Sequence, residues 1–337
     1  MQDYLNIFID KDEYPSFIDN YLNTKTMVRL KYITQFCGCD YTNIYNPLFF
    51  FTRFDHSLVV AHMTWHFTHD KKETIAALLH DIGTPCFAHT IDYVLGDYNK
   101  QESSEKDICL MIRADEELLN LLEKDNIQPE ELRELSKYTI LENTSPRLCT
   151  DRLDGVLHTC YIWLHTHSID DIRKVYDNMI VLENEDHKKE IGFQNEEAAV
   201  RFVEMVSNYS KELQSNRNKY VTMYISELVK DSVNKNIFNL EDLYSFKEME
   251  IISKFADNYK TWKTFVKADK VIETNRKLKR FNATGGSKKR IAIPLLKKGN
   301  RVDRVTILST KADIIIKEII SYRGKKYGYV KEIKNIV

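Results

Sequence analysis

The chain has 337 residues, of which 43% are hydrophobic and 29% are charged, and its formal net charge is −1. This composition is that of an ordinary globular protein, and the length suits one large helical domain with a smaller appendage. No apolar run approaches the roughly 18 residues that a membrane span needs. The first residues are acidic and lack the basic-then-apolar order of a signal peptide, so we expect a cytoplasmic protein without a membrane span.

Charge is distributed unevenly along the chain. Residues 267–337 contain 20 Lys and Arg against 6 Asp and Glu, which is a net charge of +14. The preceding 266 residues therefore carry −15. A basic region of this size fits a solvated surface, or one that complements the acidic body in a homo-oligomer. It also fits a site for a polyanion, either a nucleotide or a nucleic acid.

The first three quarters of the chain are predicted to be helical. Over residues 14–265, glycine and proline are scarce and apolar residues recur at every third or fourth position. Residues 116–141 are typical of a helix, a loop at Pro129 and a second helix. Residues 195–235 are predicted to form one long helix or two.

The six cysteines are scattered within this region, which argues against a disulfide framework. Cys37 and Cys39 form the one close pair, but their spacing differs from the two-residue gap typical of zinc sites. We interpret them as buried thiols.

One predicted helix ends at the sequence HDIGTPCFAH, which begins at residue 80. Asp70 and Glu73 fit an N-cap and its capping-box partner before the apolar run TIAALL. Gly83 suits the C′ position, where a left-handed backbone is needed. His80 and Asp81 are therefore expected at a rigid helix end, beside a loop that a ligand can approach.

Two ligands do not hold a divalent cation well, because such ions take four to six donors. His56 and Asp151, each at the start of another predicted helix, complete a set with His80 and Asp81. Two imidazoles and two carboxylates leave positions open for water and a phosphate oxygen, and such a site can act as a Lewis acid. The set suits Mn, Mg, Fe, Co or Zn and does not identify the metal.

Other histidines have simpler interpretations. His62, His66 and His69 fall on one helix face, but no Glu follows them in the zincin arrangement, so we expect surface or core-lining residues. His158 lies on the predicted helix that carries the aspartate ligand, and it is a candidate substitute for a lost proton donor. Asp154 is expected to stabilise that helix or to support the site from behind.

The composition changes near residue 267. NATGGSKKR (282–290) is typical of a flexible, charged connector. The segments 290–296, 304–308 and 326–330 are predicted to be short strands, because β-branched and aromatic residues are frequent in them. Residues 312–322 are predicted to be a helix. We therefore expect two domains, a helical one over 1–265 and a basic α+β region over 266–337.

The motifs resemble the HD superfamily of metal-dependent phosphohydrolases, and within it the deoxynucleoside triphosphate triphosphohydrolase (dGTPase-like) branch. The strings that carry the resemblance are RLKYITQFCGCDY, TRFDHSLVVAH, HDIGTPCFAHTID and TDRLDGVL, and it covers about residues 25–265. It implies a mainly α fold with an HD-domain helical core and a small α+β C-terminal appendage. It also implies hydrolysis of (deoxy)nucleoside triphosphates to nucleoside and triphosphate in a homo-oligomer.

Residue by residue, the resemblance implies three groups of functional side chains. The metal ligands match His56, His80, Asp81 and Asp151. The residue that protonates the leaving oxygen or assists the nucleophile matches His89, and Asp92 matches the acid that orients it. The contact near the sugar and α-phosphate matches Gln35, and the cationic contacts to the phosphates match Arg53 and Arg152.

Four positions depart from the branch pattern. Thr84 replaces a second catalytic histidine of the mammalian-type enzymes, and Gln101 replaces the histidine of a common His-Glu pair. Gly155 replaces an aromatic residue that packs on the sugar, and Thr159 replaces an aspartate that binds the 3′-hydroxyl. The sugar end is therefore expected to be altered. This leaves open an HD phosphatase or phosphodiesterase with another substrate, or a catalytically weak nucleotide-sensing or nucleic-acid-binding protein.

Overall fold

The computed structural model describes residues 1–9, 12–97, 106–284 and 289–336. The prediction about Gln101, and residues 285–288 of the predicted connector, lie outside the described residues.

Helices make up most of the described chain. Those that precede the first strand are α1 (Gln2–Phe8), α2 (Lys25–Leu30), α3 (Arg53–Thr68), α4 (Lys71–Leu79), α5 (Thr90–Leu95), α6 (Ile108–Arg113), α7 (Glu116–Lys124), α8 (Thr150–His158) and α9 (Ile169–Tyr176). Those that follow it are α10 (Glu196–Leu213), α11 (Asn216–Asn234), α12 (Glu248–Asn258), α13 (Lys260–Lys267), α14 (Val305–Leu308) and α15 (Thr310–Ser321).

Six short strands of the described residues form two sheets. The strands are β1 (Met179–Glu183), β2 (Lys189–Phe193), β3 (Ile272–Thr274), β4 (Leu295–Lys298), β5 (Arg301–Arg304) and β6 (Tyr327–Tyr329). One sheet has the order β1-β2-β4-β5, in which β2 and β4 are parallel and the outer pairs are antiparallel. The other pairs β3 with β6 in antiparallel fashion. The predicted fold class, mainly α with a small α+β C-terminal part, is confirmed.

Several local predictions differ from the structure. Strands β1 and β2 form a hairpin inside the region predicted to be helical. Residues 305–308 are helical rather than extended. The chain turns at Gly299, whose φ is 63°, so that β5 pairs with β4, and this hairpin ends at Arg304. Past Pro129 the chain forms two short 3₁₀ turns in place of a second helix. Strand β6 and helix α15 confirm their predictions.

The long helical stretch over 195–235 is two helices. Helix α10 ends at Leu213, and α11 begins after Ser215, whose hydroxyl accepts a hydrogen bond from the backbone N–H of Asn218. This N-cap satisfies a backbone donor that the helix itself cannot pair, so a new helix starts here rather than the old one continuing.

Helix α4 begins as predicted, but its end has another cause. The Asp70 carboxylate accepts the backbone N–H of Glu73 at 2.8 Å. The Glu73 carboxylate does not close the capping box, because it accepts the N–H of Leu141 at 3.1 Å. Gly83 is not left-handed; a Cβ there would lie 2.3 Å from the carbonyl oxygen of Lys106. A glycine is needed at this position because the backbone of Lys106 approaches so closely. The predicted left-handed cap at Gly83 was wrong.

Helix α3 lies between two hydrophobic cores. Val59 and Met63 pack in a larger core that extends to the C-terminal region, while Val60 and Ala61 pack in a smaller core with helix α4. All four side chains are fully buried. Because both faces are packed, a side chain on this helix is held in a nearly fixed position.

The basic C-terminal region is joined to the acidic body through β4 and through ion pairs. Lys298 pairs with Glu196 at 2.9 Å, and Lys311 pairs with Glu204 at 2.8 Å. Arg304 contacts the fully buried Glu190 carboxylate through both terminal nitrogens, at 2.5 and 2.9 Å. Part of the +14 charge of residues 267–337 is thus paired with carboxylates of the same chain. The division at residue 265 stays a prediction.

None of the helices in the described residues combines enough length with enough apolar character to cross a membrane.

Arg304→Met should destabilise the protein by about 3–5 kcal/mol, because Glu190 would remain as a buried carboxylate without its cation. Arg301→Ala is the matched control, since Arg301 is 62% exposed and pairs with Asp303 near the surface; its cost should stay below about 1 kcal/mol. Urea unfolding measures both free energies. Equal values for the two variants would contradict a role of Arg304 in fixing the C-terminal region.

Candidate metal centre and catalytic pocket

The first turn of α3 places two of the predicted site residues. Thr52 and Asp55 form a capping box, in which each side chain accepts a hydrogen bond from the backbone N–H of the other residue, at 2.9 and 3.2 Å. This fixes the start of the helix, so that Arg53 and His56 project from its first two turns. Both side chains are buried.

The loop after α4 is held from outside by long-range contacts. Arg29 donates from one terminal nitrogen to the carbonyl oxygens of Ile82 and Thr84, at 2.9 and 2.7 Å. The buried Glu248 carboxylate accepts the N–H of Phe87 at 2.7 Å. These bonds offset local strain: Phe87 and Ala88 both have left-handed φ values, 61° and 44°. Such residues cost roughly 1–3 kcal/mol each and cluster at functional sites.

The start of α8 brings the last predicted ligand into place. The hydroxyl of Thr150 is 2.8 Å from the hydroxyl of Thr64 on α3. The backbone N–H of Thr150 donates to the carbonyl oxygen of Ile140 at 2.7 Å. Asp151 follows in the first turn of the helix. The Thr64–Thr150 contact therefore sets the distance between the two helices close to the site.

The four predicted metal ligands come together. His56 Nε2 is 3.1 Å from Asp151 Oδ1 and 3.9 Å from Asp81 Oδ2. His80 Nε2 is 3.6 Å from Asp151 Oδ1 and 3.7 Å from Asp81 Oδ2. Two ligand atoms that are each about 2.1 Å from one cation lie roughly 3.0–3.4 Å apart. His56, His80 and Asp151 form the tight group, in which the donor atoms all lie within 4.8 Å of one another. Asp81 approaches both histidines but lies outside this group and pairs with Arg53, so it would have to shift to share one cation.

Hydrogen bonds on the far side of each imidazole support the same interpretation. His56 Nδ1 is 2.5 Å from Asp154 Oδ2, and His80 Nδ1 donates to Ala77 O at 2.7 Å. Both Nε2 atoms are therefore turned toward the shared centre. His80 Nε2 is buried and lacks a hydrogen-bond partner within the described residues. A buried nitrogen of this kind is costly unless a ligand uses its lone pair, so the donor set fits a divalent metal ion.

The carboxylates shift the pKa of both imidazoles. Burial lowers the pKa of His56, but its hydrogen bonds to Asp151 and Asp154 outweigh burial and raise it to about 10. The pKa of His80 is also raised, because the charges of Asp81 and Asp151 exceed the effect of burial. Burial opposes the low pKa of Asp81, but Arg53 and the two histidines keep it below its usual value. Cations and protons therefore compete for one negatively charged centre.

His89 and Asp92 form a dyad beside this centre. His89 Nδ1 is 3.1 Å from the Asp92 carboxylate, which is fully buried in α5. The contact orients the imidazole and fixes its tautomer, so that Nε2 points away from Asp92, with Arg290 Nη2 3.2 Å from it. His89 follows the strained residues Phe87 and Ala88 and lines the same cavity as the four candidate metal ligands.

The predicted substrate contacts Gln35, Arg53 and Arg152 also line this cavity. Both arginines bind other groups of the protein. Arg53 Nη1 binds Asp81 Oδ2 at 2.8 Å. The Arg152 guanidinium donates to Asn143 O at 2.8 Å and lies 3.3 Å from the Glu142 carboxylate. Gln35 Oε1 is buried and unpaired within the described residues. It is therefore placed to accept a hydrogen bond from a ligand.

The cavity has a volume of about 510 Å³, in the range of small-molecule pockets. Its wall includes residues that the sequence did not point to: Tyr93, Glu142, Tyr209, Lys289 and Arg290. Burial and the charge of Asp151 raise the pKa of Glu142 to about 7. The one sequence signal for Arg290 was the overall basic charge of residues 267–337.

Two of the positions that depart from the branch pattern lie at the cavity. Gly155 and Thr159 both line it. A Cβ at Gly155 would lie 3.9 Å from the hydroxyl of Tyr209, which projects from α10. An aromatic ring from another helix thus lies close to the space that the glycine leaves.

The remaining histidines do not join the four-ligand centre. His62 is buried, and burial lowers its pKa to about 4, while His66 and His69 are exposed. His62, His66 and His69 form no metal-binding group within the described residues, whereas His158 belongs to a second buried group with His56 and Asp154. His158 Nδ1 is 3.1 Å from Asp154 Oδ2, so it shares that carboxylate with His56. Asp154 thus supports the site from behind.

No protein-family model matches this chain. It is 26% identical over 193 residues to the uncharacterized protein YdhJ of Bacillus subtilis, a match that covers 57% of each chain. It is 24% identical over 274 residues to the uncharacterized protein MG461 of Mycoplasma genitalium, covering 72% of this chain and 62% of that protein. The matches thus span less than two thirds of either relative.

Two crystal structures share the fold. A phosphohydrolase from Bacteroides thetaiotaomicron has a TM-score of 0.64 and 15% sequence identity, covering 95% of both chains. A hypothetical protein from Aquifex aeolicus has a TM-score of 0.53 and 17% identity, covering 93% of this chain and 92% of that one. At these identities the likeness concerns the fold.

Asp154→Asn should weaken Mn²⁺ binding about 10- to 100-fold, because the amide does not hold the His56 tautomer as a carboxylate does. His80→Ala should abolish binding, since it removes a ligand. Asp170→Asn, at an exposed position, is the control and should bind as the wild type does. Calorimetric titration measures the affinities. An unchanged affinity for Asp154→Asn would contradict the proposed support of His56.

Proposed function

We propose that this protein is a metal-dependent phosphohydrolase of the HD type that acts on nucleotides. The substrate class that we propose is the (deoxy)nucleoside triphosphates, hydrolysed to nucleoside and triphosphate. The observation that carries the proposal is one cavity that is lined both by the His₂Asp₂ donor set and by His89, whose imidazole is held by the buried Asp92.

The donor set supports hydrolytic chemistry. His56, His80, Asp81 and Asp151 would hold the divalent ion, which supplies Lewis-acid polarisation of a phosphoryl oxygen. Arg53 and Arg152 line that cavity and add positive charge, which offsets the negative charge that grows on a phosphoryl group as it reacts.

The dyad supplies the proton transfer. In triphosphate release, water adds to the α-phosphorus and the bond between that phosphorus and the 5′ oxygen breaks. The leaving 5′ oxygen takes up a proton, and the attacking water gives one up. His89 is the residue that moves the proton, because Asp92 holds its Nδ1 and Nε2 is left for the transfer. Asp92 stabilises the imidazolium when it forms.

Two features support a nucleotide as the substrate. A volume of about 510 Å³ is larger than a phosphate group alone requires and suits a ligand with a base and a sugar. The unpaired Gln35 oxygen can accept a hydrogen bond from a sugar hydroxyl or a base amine. The resemblance of the motifs places the same residue near the sugar.

A second candidate is hydrolysis of another phosphorylated compound, by an HD phosphatase or phosphodiesterase. The Tyr209 hydroxyl near Gly155 favours it, because this side chain enters the region where the related enzymes pack an aromatic residue on the sugar. The metal and phosphate end of the cavity would serve either substrate.

A turnover screen tests the proposal. We expect hydrolysis of at least one of the four dNTPs with Mn²⁺, Mg²⁺ or Co²⁺, with nucleoside and triphosphate as the products on ion-exchange chromatography. Monophosphate with pyrophosphate would reject triphosphate release. Faster turnover of a monophosphate or a cyclic nucleotide would favour the second candidate. A metal-loaded protein that hydrolyses none of these compounds would contradict phosphohydrolase function.

His89→Ala should lower kcat about 10²- to 10⁴-fold while metal affinity stays unchanged, since it removes the proton-transfer group but no metal ligand. His187→Ala is the control, because the His187 side chain is 86% exposed on the β1–β2 hairpin. Steady-state kinetics and metal titration measure the two effects. Near-normal activity of His89→Ala would contradict the assignment of His89 as the proton-transfer residue.

A further inference from the structure

Arg290 reaches the catalytic pocket from the basic C-terminal region. Its terminal nitrogen is 3.2 Å from His89 Nε2, although the two residues are 201 positions apart. Both residues line the same cavity. Neither the motifs nor the predicted domain boundary at residue 265 assigned a site residue to this region.

The chain on both sides of Arg290 is fixed. The Lys289 ammonium group donates to Ile320 O at 2.6 Å. Ser145 donates to Ile291 O at 3.2 Å, and the N–H of Ile293 donates to Pro146 O at 2.7 Å. The segment then continues into β4, which pairs with β2. Arg290 is therefore presented to the pocket by anchored backbone.

The contact with His89 has a defined polarity. A guanidinium group has only N–H donors and stays charged in proteins, so His89 Nε2 is the acceptor. His89 then carries its proton on Nδ1, toward Asp92. When Nε2 carries a proton, its N–H group would point at the N–H donors of the guanidinium. Two donors cannot hydrogen bond to each other, so the contact could not persist. Arg290 must therefore change partner when His89 acts as a proton donor.

A phosphate group is the partner that fits this change. Guanidinium binds phosphate oxygens through two parallel hydrogen bonds, which are stronger than a bond to a neutral imidazole nitrogen. Arg290 contacts His89 and lines the cavity, beside the place where the leaving oxygen must receive its proton.

We propose that Arg290 binds a phosphate group of the substrate, so that the basic C-terminal region completes the pocket of the helical domain. In the structure, Arg290 contacts the proton-transfer nitrogen of His89. Binding of a phosphate draws the guanidinium away and frees that nitrogen for the reaction. This inference rests on the proposed phosphohydrolase function, but the binding of the anion can be measured without turnover.

The test compares Arg290→Gln and Arg290→Lys with Arg276→Gln, an exposed control in the same basic region. Calorimetry with inorganic tripolyphosphate in the presence of Mn²⁺ should show affinity reduced about 10- to 100-fold for Arg290→Gln, as expected for a lost charge-assisted hydrogen bond. Arg290→Lys should retain part of the affinity, and Arg276→Gln should match the wild type. Circular dichroism and metal content should be unchanged in all three.

Kinetics separate binding from positioning. With the best substrate of the turnover screen, Arg290→Gln should raise KM by a factor similar to its loss of tripolyphosphate affinity. A fall in kcat with wild-type tripolyphosphate affinity would mean that Arg290 only positions His89, and it would overturn the proposal. A wild type that does not bind tripolyphosphate would also overturn it. If the wild type binds the anion, Arg290→Gln does not, and no nucleotide is hydrolysed, the phosphohydrolase function fails while the Arg290 site stands.

Discussion

The geometry of the site depends on one buried carboxylate, that of Asp154. It accepts hydrogen bonds from Tyr4 at 2.5 Å and from His158 at 3.1 Å, and it lies 2.5 Å from His56 Nδ1. Burial would raise its pKa, but the contacts with His158 and His56 keep the pKa below its usual value. Because a charged oxygen holds Nδ1 of His56, Nε2 must face Asp81 and Asp151. A buried negative charge thus sets the orientation of a neighbouring ligand and adds to the attraction of the centre for a cation.

The loop that contains Phe87 and Ala88 shows how strain is held beside the candidate site. Phe87 and Ala88 occupy left-handed backbone conformations that side chains other than glycine rarely adopt. The conformation persists because Glu248, Arg29 and the backbone of Leu243 bind the loop from outside. Glu248 also accepts hydrogen bonds from Thr34 and Tyr41, so the same carboxylate links the loop to the segment that carries Gln35. His89 and Gln35 are therefore positioned by one polar cluster behind the pocket.

The acidic body and the basic C-terminal region are complementary within a single chain. Three of the cations that produce the +14 charge pair with Glu190, Glu196 and Glu204, and Arg290 enters the pocket. These contacts show that part of the charge is paired within the fold and that one cation lines the cavity. A pocket that binds polyphosphate needs positive charge near the metal centre, and a segment anchored by β4 can bring it there without burying an unpaired cation in the helical core.

The sequence by itself determined the types of the candidate metal ligands, their order along the chain and the helix ends near which they lie, because caps and apolar periodicity act over a few residues. It also indicated that Gly155 and Thr159 depart from the pattern of the branch that the motifs resemble. Only the tertiary structure decided which imidazole nitrogen faces the centre, since the His56–Asp154 contact joins residues 98 positions apart. The same holds for Arg290 at 201 positions from His89, for Tyr209 beside Gly155, and for Gly83, whose role comes from the approach of Lys106. Such contacts depend on how separate elements pack, and packing leaves no local pattern in the sequence from which they could be predicted.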